Sequence, residues 1–95
     1  MNSRAYLWGW FVNFQIAAMK VLSSYPEGAA YLFDLKRDRA ILATSGPGWT
    51  QRMKRMAARA PALDAFSQGY IVRHATGWSI TAAGRAFLDA LERPL

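Results

Sequence analysis

A long apolar stretch near the start of the chain is the feature that most restricts its fold. Apolar side chains recur there at alternating spacings of four and three residues, which predicts a helix over about residues 5–25. This stripe consists of Leu7, Phe11, Phe14, Ala18, Val21 and Tyr25. It is widened by Trp8, Val12, Ile16, Met19 and Leu22. Because the helix is apolar around much of its circumference, it must lie at the centre of the domain or bury one side against another subunit.

The sequence YPEG ends this helix, and the next elements are short. Residues 29–33 predict a brief strand or an extended segment. Asp34 is a suitable N-cap for a helix that runs to about Ala43, with Lys36, Arg37 and Arg39 facing solvent. The inward positions of that helix are predicted to be Leu35, Ile41 and Leu42. A turn over the sequence TSGPG, residues 44–48, follows.

Residues 48–60, GWTQRMKRMAARA, predict an amphipathic helix. Its apolar face has the helical spacing and consists of Trp49, Met53, Met56, Ala57 and Ala60. Its other face is formed by Gln51, Arg52, Arg55 and Arg59, with Lys54 at the border. No acidic residue lies among them.

The last third of the chain predicts a β-hairpin and a helix. Residues 70–74 and 78–80 are rich in strand-forming side chains and are separated by the turn sequence ATG. Thr81 is predicted to cap the final helix, and Gly84 to let that helix approach the hairpin closely. Arg85, near the start of the helix, is expected to need an acidic or phosphate partner. The prediction is one domain over residues 1–95, mostly α with a small β-hairpin.

The basic residues of the chain are concentrated in one segment. The net charge is +6 and the isoelectric point is about 10.3. Residues 36–59 contain seven basic residues against Asp38 alone, so this segment carries a charge equal to that of the whole chain. A localised basic patch favours an anionic partner such as nucleic acid or an anionic membrane surface.

Several classes of function have no matching residues in the sequence. There is no cysteine, and His74 is the single histidine, so we expect no metal site. Nucleophile-elbow, phosphate-loop and paired-carboxylate motifs do not occur, and we expect neither an enzyme nor a cofactor. Asn13 and Gln15 interrupt the apolar start of the chain, which argues against a signal peptide or a membrane span and favours a cytoplasmic location.

The segment GYIVRHATGWSITAAGRAFLDALE resembles the wing and last helix of winged helix-turn-helix proteins, such as MarR-type regulators and winged-helix domains of bacterial restriction proteins. The resemblance implies a DNA-binding transcriptional regulator whose recognition helix, about residues 48–60, enters the major groove. It implies base contacts by Thr50, Gln51, Arg52 and Arg55, and phosphate contacts by Lys36, Arg37, Arg39, Lys54 and Arg59. Arg73, on the first wing strand, would contact a phosphate or the minor groove unless it is simply a solvent-exposed strand residue.

Two other interpretations stay open. In the first, the basic face is an ordinary solvated helix surface, although such surfaces usually carry mixed charge. Alternatively, the fold serves as a protein-interaction module that uses the aromatic first helix. For the regulator we expect that helix, residues 5–25, to form a homodimer interface, whereas exposure of its aromatic residues in a monomer would favour a different protein partner. No small-molecule ligand is evident, and membrane binding is disfavoured because the aromatic and basic segments are on different elements.

Overall fold

The structure is a computed structural model that describes the backbone of residues 3–94 and the side chains of residues 10–94. In chain order the elements are α1 (Ser3–Ser24), β1 (Ala29–Tyr31), α2 (Leu32–Ala43), α3 (Pro47–Arg59), β2 (Ile71–Arg73), β3 (Gly77–Ile80) and α4 (Ala82–Glu92). The described chain is therefore mostly helical with a small β-sheet, as the sequence predicts.

The sheet has three antiparallel strands in the order β1-β3-β2. Strands β2 and β3 form the predicted hairpin, in which Val72 pairs with Ser79. Strand β1 pairs with the other edge of β3, where Ala30 lies opposite Trp78. Because these two residues are far apart in the sequence, hydrophobic periodicity predicts the short strand but not its partner.

Helix α1 lies at the centre of the fold, as its wide apolar surface predicts. It packs against the other three helices and the sheet. From this helix the core takes Val12, Ile16, Ala17, Ala18, Met19, Val21 and Leu22, all buried. Gln15 is also fully buried, and its Nε2 donates to the carbonyl of Leu63 at 2.8 Å while its Oε1 accepts from Ala65 N at 2.6 Å. Gln15, which interrupts the apolar pattern of the sequence, therefore fastens α1 to the segment after α3.

Helix α2 begins earlier, and the turn after it is shorter, than the sequence predicts. Tyr31 occupies the N-cap position, so Asp34 lies in the first turn of the helix instead of capping it. The turn is only residues 44–46, because Pro47 occupies the start of α3, where its missing N–H costs no hydrogen bond. Gly46 precedes it with a φ of 100°, a conformation that favours glycine.

The inward face of α2 also differs from the prediction. Ile41 is 61% exposed, whereas Leu35 is buried and Leu42 partly buried. The face that contains both leucines follows the i, i+3, i+4, i+7 spacing and therefore includes Asp38 and Arg39. Arg39, which the sequence predicts to face solvent, therefore lies partly inward beside Asp38.

Helix α4 is positioned by its first turn. The Thr81 side chain accepts a hydrogen bond from Gly84 N at 3.0 Å, which confirms the predicted cap. A Cβ on Gly84 would lie 2.4 Å from the Tyr70 carbonyl oxygen, so only glycine permits this approach to the hairpin. Arg85 donates to the carbonyls of Ser23 and Tyr25 at the end of α1. Among the described residues the expected acidic partner is thus replaced by carbonyls at the negative end of a helix dipole.

Candidate nucleic-acid interface

Helix α3 separates an apolar side from a basic side in the way its sequence predicts. Trp49 and Met56 are buried, and Met53 and Ala57 are partly buried against the core. Gln51, Arg52, Lys54 and Arg55 are exposed. The exposed surface carries no acidic residue, so no ion pair within the helix reduces its positive charge.

The exposed side of α3 has a central ridge and two flanks, because successive residues are rotated by about 100° around a helix. Gln51 and Arg55 lie near the ridge, opposite the buried side chains. Thr50 and Lys54 lie on the flank where α3 borders α1 and the end of α2, and they line a groove there. Arg52 and Arg59 lie on the opposite flank, next to the end of α4.

The second flank forms the wall of a cleft, which we call the arginine cleft. Its volume is about 510 Å³, and it lies between α3 and the C-terminal end of α4. The residues that line it are Arg52, Arg55, Met56, Arg59, Leu91, Glu92, Arg93 and Pro94. Four arginines from two segments of the chain thus face one concave surface.

Among the described residues, one carboxylate lines the arginine cleft, and it is engaged elsewhere. Glu92 Oε2 accepts from Lys20 Nζ on α1 at 2.8 Å. Arg52 instead lies over the indole of Trp49, with its Cζ 5.5 Å from the ring centroid. The cleft therefore keeps a surplus of positive charge, and one of its guanidinium groups is oriented by an aromatic ring.

Arg59 has a structural role that the sequence did not indicate. Its Nη1 donates to the carbonyl of Leu91 at 2.7 Å and to that of Arg93 at 2.5 Å. These carbonyls are at the C-terminal end of α4, where helices leave acceptors unpaired. Arg59 therefore fastens the end of α4 to α3, which restrains its movement toward a phosphate.

The three basic residues of α2 have different surroundings. Lys36 is exposed. Arg37 pairs with Asp34 at 3.1 Å and with Asp38 at 3.0 Å. Arg39 is half-buried, with its Cζ 5.1 Å from the ring centroid of Phe14, and its buried Nε has no hydrogen-bond partner among the described residues. Of these three, Lys36 is the side chain most available to an anion.

Asp38 is the centre of a small hydrogen-bonded group beside α2. The Tyr25 hydroxyl donates to one of its oxygens, and Arg37 Nε donates to the other at 3.0 Å. These bonds lower the pKa of Asp38, with the Tyr25 bond contributing most, and the bond to Asp38 raises the pKa of Tyr25. The same carboxylate raises the pKa of Arg37. The charge of Arg37 is therefore partly offset inside the protein.

Arg73 lies on β2, away from the surface of α3. Its Cζ lies 3.7 Å from the ring centroid of Phe66, although the residue remains exposed. His74 hydrogen-bonds the Ser79 hydroxyl across the hairpin at 2.8 Å. The structure therefore brings together the predicted α3 residues and leaves Arg73 as a separate basic position.

Arg93 is the member of the arginine cleft that sequence reasoning missed. It lies more than 30 residues after α3 in the chain, beyond the basic segment. The only local signal is the following Pro94, which indicates that α4 has ended. Contact between the ends of α3 and α4 is a tertiary feature that no periodicity within either helix predicts.

Comparisons with protein-family models, with curated proteins and with solved structures found no match to this chain. Within residues 3–94, no helix is both long enough and apolar enough to cross a membrane. The candidate interface is therefore interpreted from its own geometry and charge.

Proposed function

We propose that this chain is a winged-helix DNA-binding protein that places α3 in the major groove and acts as a transcriptional regulator. The observation that carries this proposal is the exposed side of α3. It combines a ridge containing Gln51 and Arg55 with a basic residue on each flank, and it carries no acid. A helix of this kind fits the major groove, and arginine and glutamine can each make paired hydrogen bonds to a base edge.

The order of elements supports the winged-helix interpretation. A helix, a short strand, two helices, a hairpin and a last helix follow one another, and the short strand joins the hairpin sheet. The three residues between α2 and α3 have the length of a helix-turn-helix connection. In this arrangement α3 is the recognition helix.

The surroundings of each residue suggest which side chains contact bases and which contact phosphates. Thr50, Gln51 and Arg55 face the bases in our proposal, and Arg52 lies beside them. Lys36 and Lys54 hold phosphates. We expect smaller contributions from Arg37, Arg39 and Arg59, because each has a partner or an aromatic neighbour within the protein. Arg73 would meet a phosphate only if the hairpin lies against the duplex.

Fluorescence anisotropy with a labelled random duplex at low salt tests the proposal. We expect micromolar or tighter binding, weakened at least fivefold by Arg55→Gln. The matched control is Lys20→Gln made and compared in a Glu92→Gln background: it removes the same charge outside α2 and α3, and the background leaves no unpaired Glu92 carboxylate beside the cleft arginines. No binding at low salt, or equal losses for both variants, would reject the assignment. Sequence selection then identifies the preferred site.

Exposed apolar residues favour a protein-interaction module as the second candidate. Tyr31 and Phe33, at the end of the edge strand β1 and the start of α2, are 66% and 76% exposed. Trp10 on α1 is 61% exposed and stacks on Phe14. Exposed aromatic residues of this kind are typical of partner surfaces. Failure to bind duplex, together with capture of a protein partner that is lost in Phe33→Ser, would favour this function over the first.

A further inference from the structure

The arginine cleft has properties that a helix lying in a DNA groove does not require. A recognition helix needs charge along its exposed side, whereas this cleft adds Arg93 from the segment after α4. Arg59 holds that segment against α3 through two carbonyls, so the cleft wall is fixed by the fold. Its rigidity limits the ordering cost of binding a ligand.

The composition of the cleft indicates the chemistry of its ligand. Guanidinium groups form paired hydrogen bonds to phosphoryl and carboxylate oxygens, and several that converge on one concave surface fit a group with multiple negative oxygens. Glu92, which could neutralise them, bonds to Lys20 instead. Met56 and Leu91 supply an apolar floor for an uncharged part of the ligand. The volume of about 510 Å³ is that of a small-ligand site.

We propose that the arginine cleft binds a phosphoryl group, with Arg52 and Arg93 as its ligands, joined by Arg55 when no base edge engages that side chain, and with Arg59 as the residue that holds the cleft in shape. The group is either a strand phosphate or the phosphate of a free small molecule. For the strand phosphate, the proposal rests on the DNA-binding function; for the free ligand, it does not.

Calorimetric titration of the full chain with inorganic pyrophosphate, at constant ionic strength, tests the proposal. We expect saturable binding that Arg93→Gln weakens at least tenfold. Arg73→Gln is the matched control, because it removes the same charge from β2, outside both the cleft and the exposed side of α3, and we expect less than a twofold change. Both side chains are exposed, and Arg93→Gln keeps the backbone carbonyl that accepts from Arg59. No saturable binding, or equal losses in the two variants, would overturn the proposal.

Duplex competition distinguishes the two sources of phosphate. Displacement of bound duplex by pyrophosphate, at constant ionic strength, supports a strand phosphate in the cleft. Simultaneous binding of both supports a free phosphorylated ligand. If the chain binds pyrophosphate but no duplex, the proposed DNA-binding function is rejected and the phosphoryl site in the cleft is supported. If it binds duplex but no pyrophosphate, the phosphoryl site is rejected and the DNA-binding function is supported.

Discussion

At the scale of single residues, Asp38 gives the clearest link between pH and stability. Its pKa is lowered from 3.8 in the folded chain, chiefly by the hydrogen bond from Tyr25 and then by the one from Arg37. A lowered carboxylate pKa stabilises the fold above the unfolded value, and this stabilisation is lost as the pH falls through the folded value. The relevant window therefore begins near pH 4 and extends below it.

We accordingly predict a weaker acid dependence of stability in two variants. Tyr25→Phe and Asp38→Asn should each lose less unfolding free energy between pH 7 and pH 2 than the wild-type chain, as measured by urea unfolding. Part of the dependence should remain, because a hydrogen bond from Ser67 lowers the pKa of Asp64. Acid dependences identical to that of the wild-type chain in both variants would contradict the assignment.

Substitution by alanine should have opposite effects on stability at two glycines. Gly84→Ala would bring a Cβ to 2.4 Å from the Tyr70 carbonyl oxygen and 2.7 Å from Ile80 Cγ1, so we expect destabilisation of about 1–3 kcal/mol. Gly48→Ala, in the first turn of α3, meets nothing within 4 Å and should stabilise by up to about 1 kcal/mol. Thermal and urea unfolding measure both. Equal effects of the two substitutions would be inconsistent with the close contact between α4 and the hairpin.

At the scale of elements, the basic residues of α2 should contribute unequally to duplex binding. We predict that Lys36→Gln weakens binding about two- to fivefold, which corresponds to one exposed phosphate contact of roughly 0.4–1 kcal/mol. Arg37→Gln and Arg39→Gln should each have smaller effects, because Arg37 is paired with two carboxylates and Arg39 lies over Phe14. Anisotropy titrations of the three variants under one buffer condition measure the order. A larger loss for Arg39→Gln than for Lys36→Gln would show that the guanidinium leaves α1 to reach the duplex.

The helices differ in how far their sequences predict them. The two faces of α3 follow from apolar spacing, because its buried residues are apolar and its charged residues lie on the other side. In α2 the same reasoning fails, since Asp38 and Arg39 share the inward face and Ile41 does not. Asp38 is hydrogen-bonded by Tyr25, the residue directly after α1, and Arg39 lies over Phe14 on α1. These contacts make the two inward charges acceptable. Tertiary contacts of this kind also place Arg93 beside α3 and β1 beside β3, and they are not encoded in local periodicity.

At the scale of the whole molecule, the exposed aromatic surface of α1 predicts self-association. Trp10 stacks on Phe14, which contacts Trp78 edge-on, so an apolar row extends from the solvent to the sheet. The side chains of residues 5–9, which belong to the predicted interface, lie outside the described residues. We expect light scattering at high micromolar concentration to give twice the chain mass of 10.6 kDa, and Trp10→Ser to shift the mass toward the monomer. A monodisperse wild-type monomer would exclude the homodimer.

The distribution of charge over the molecule predicts how steeply duplex binding weakens with salt. Each phosphate that a basic side chain neutralises releases counterion, and the logarithm of the binding constant falls by about 0.9 per contact for each tenfold increase in salt. The residues proposed to meet the duplex lie on α2 and α3, so variants there should change this slope. Arg85, which lies on α4 and donates to the carbonyls of Ser23 and Tyr25, should not contribute to the slope.

The central claim is that α3 is a DNA-recognition helix. The most direct test compares the salt dependence of duplex binding between the wild-type chain and the double variant Arg52→Gln/Arg55→Gln. We predict a steep negative slope for the wild-type chain. The double variant should bind more weakly at low salt, and its slope should be shallower wherever either arginine contacts a phosphate in place of a base. Undetectable wild-type binding at low salt, or a variant with the same affinity and slope as the wild-type chain, would contradict the assignment of α3 as a DNA-recognition helix.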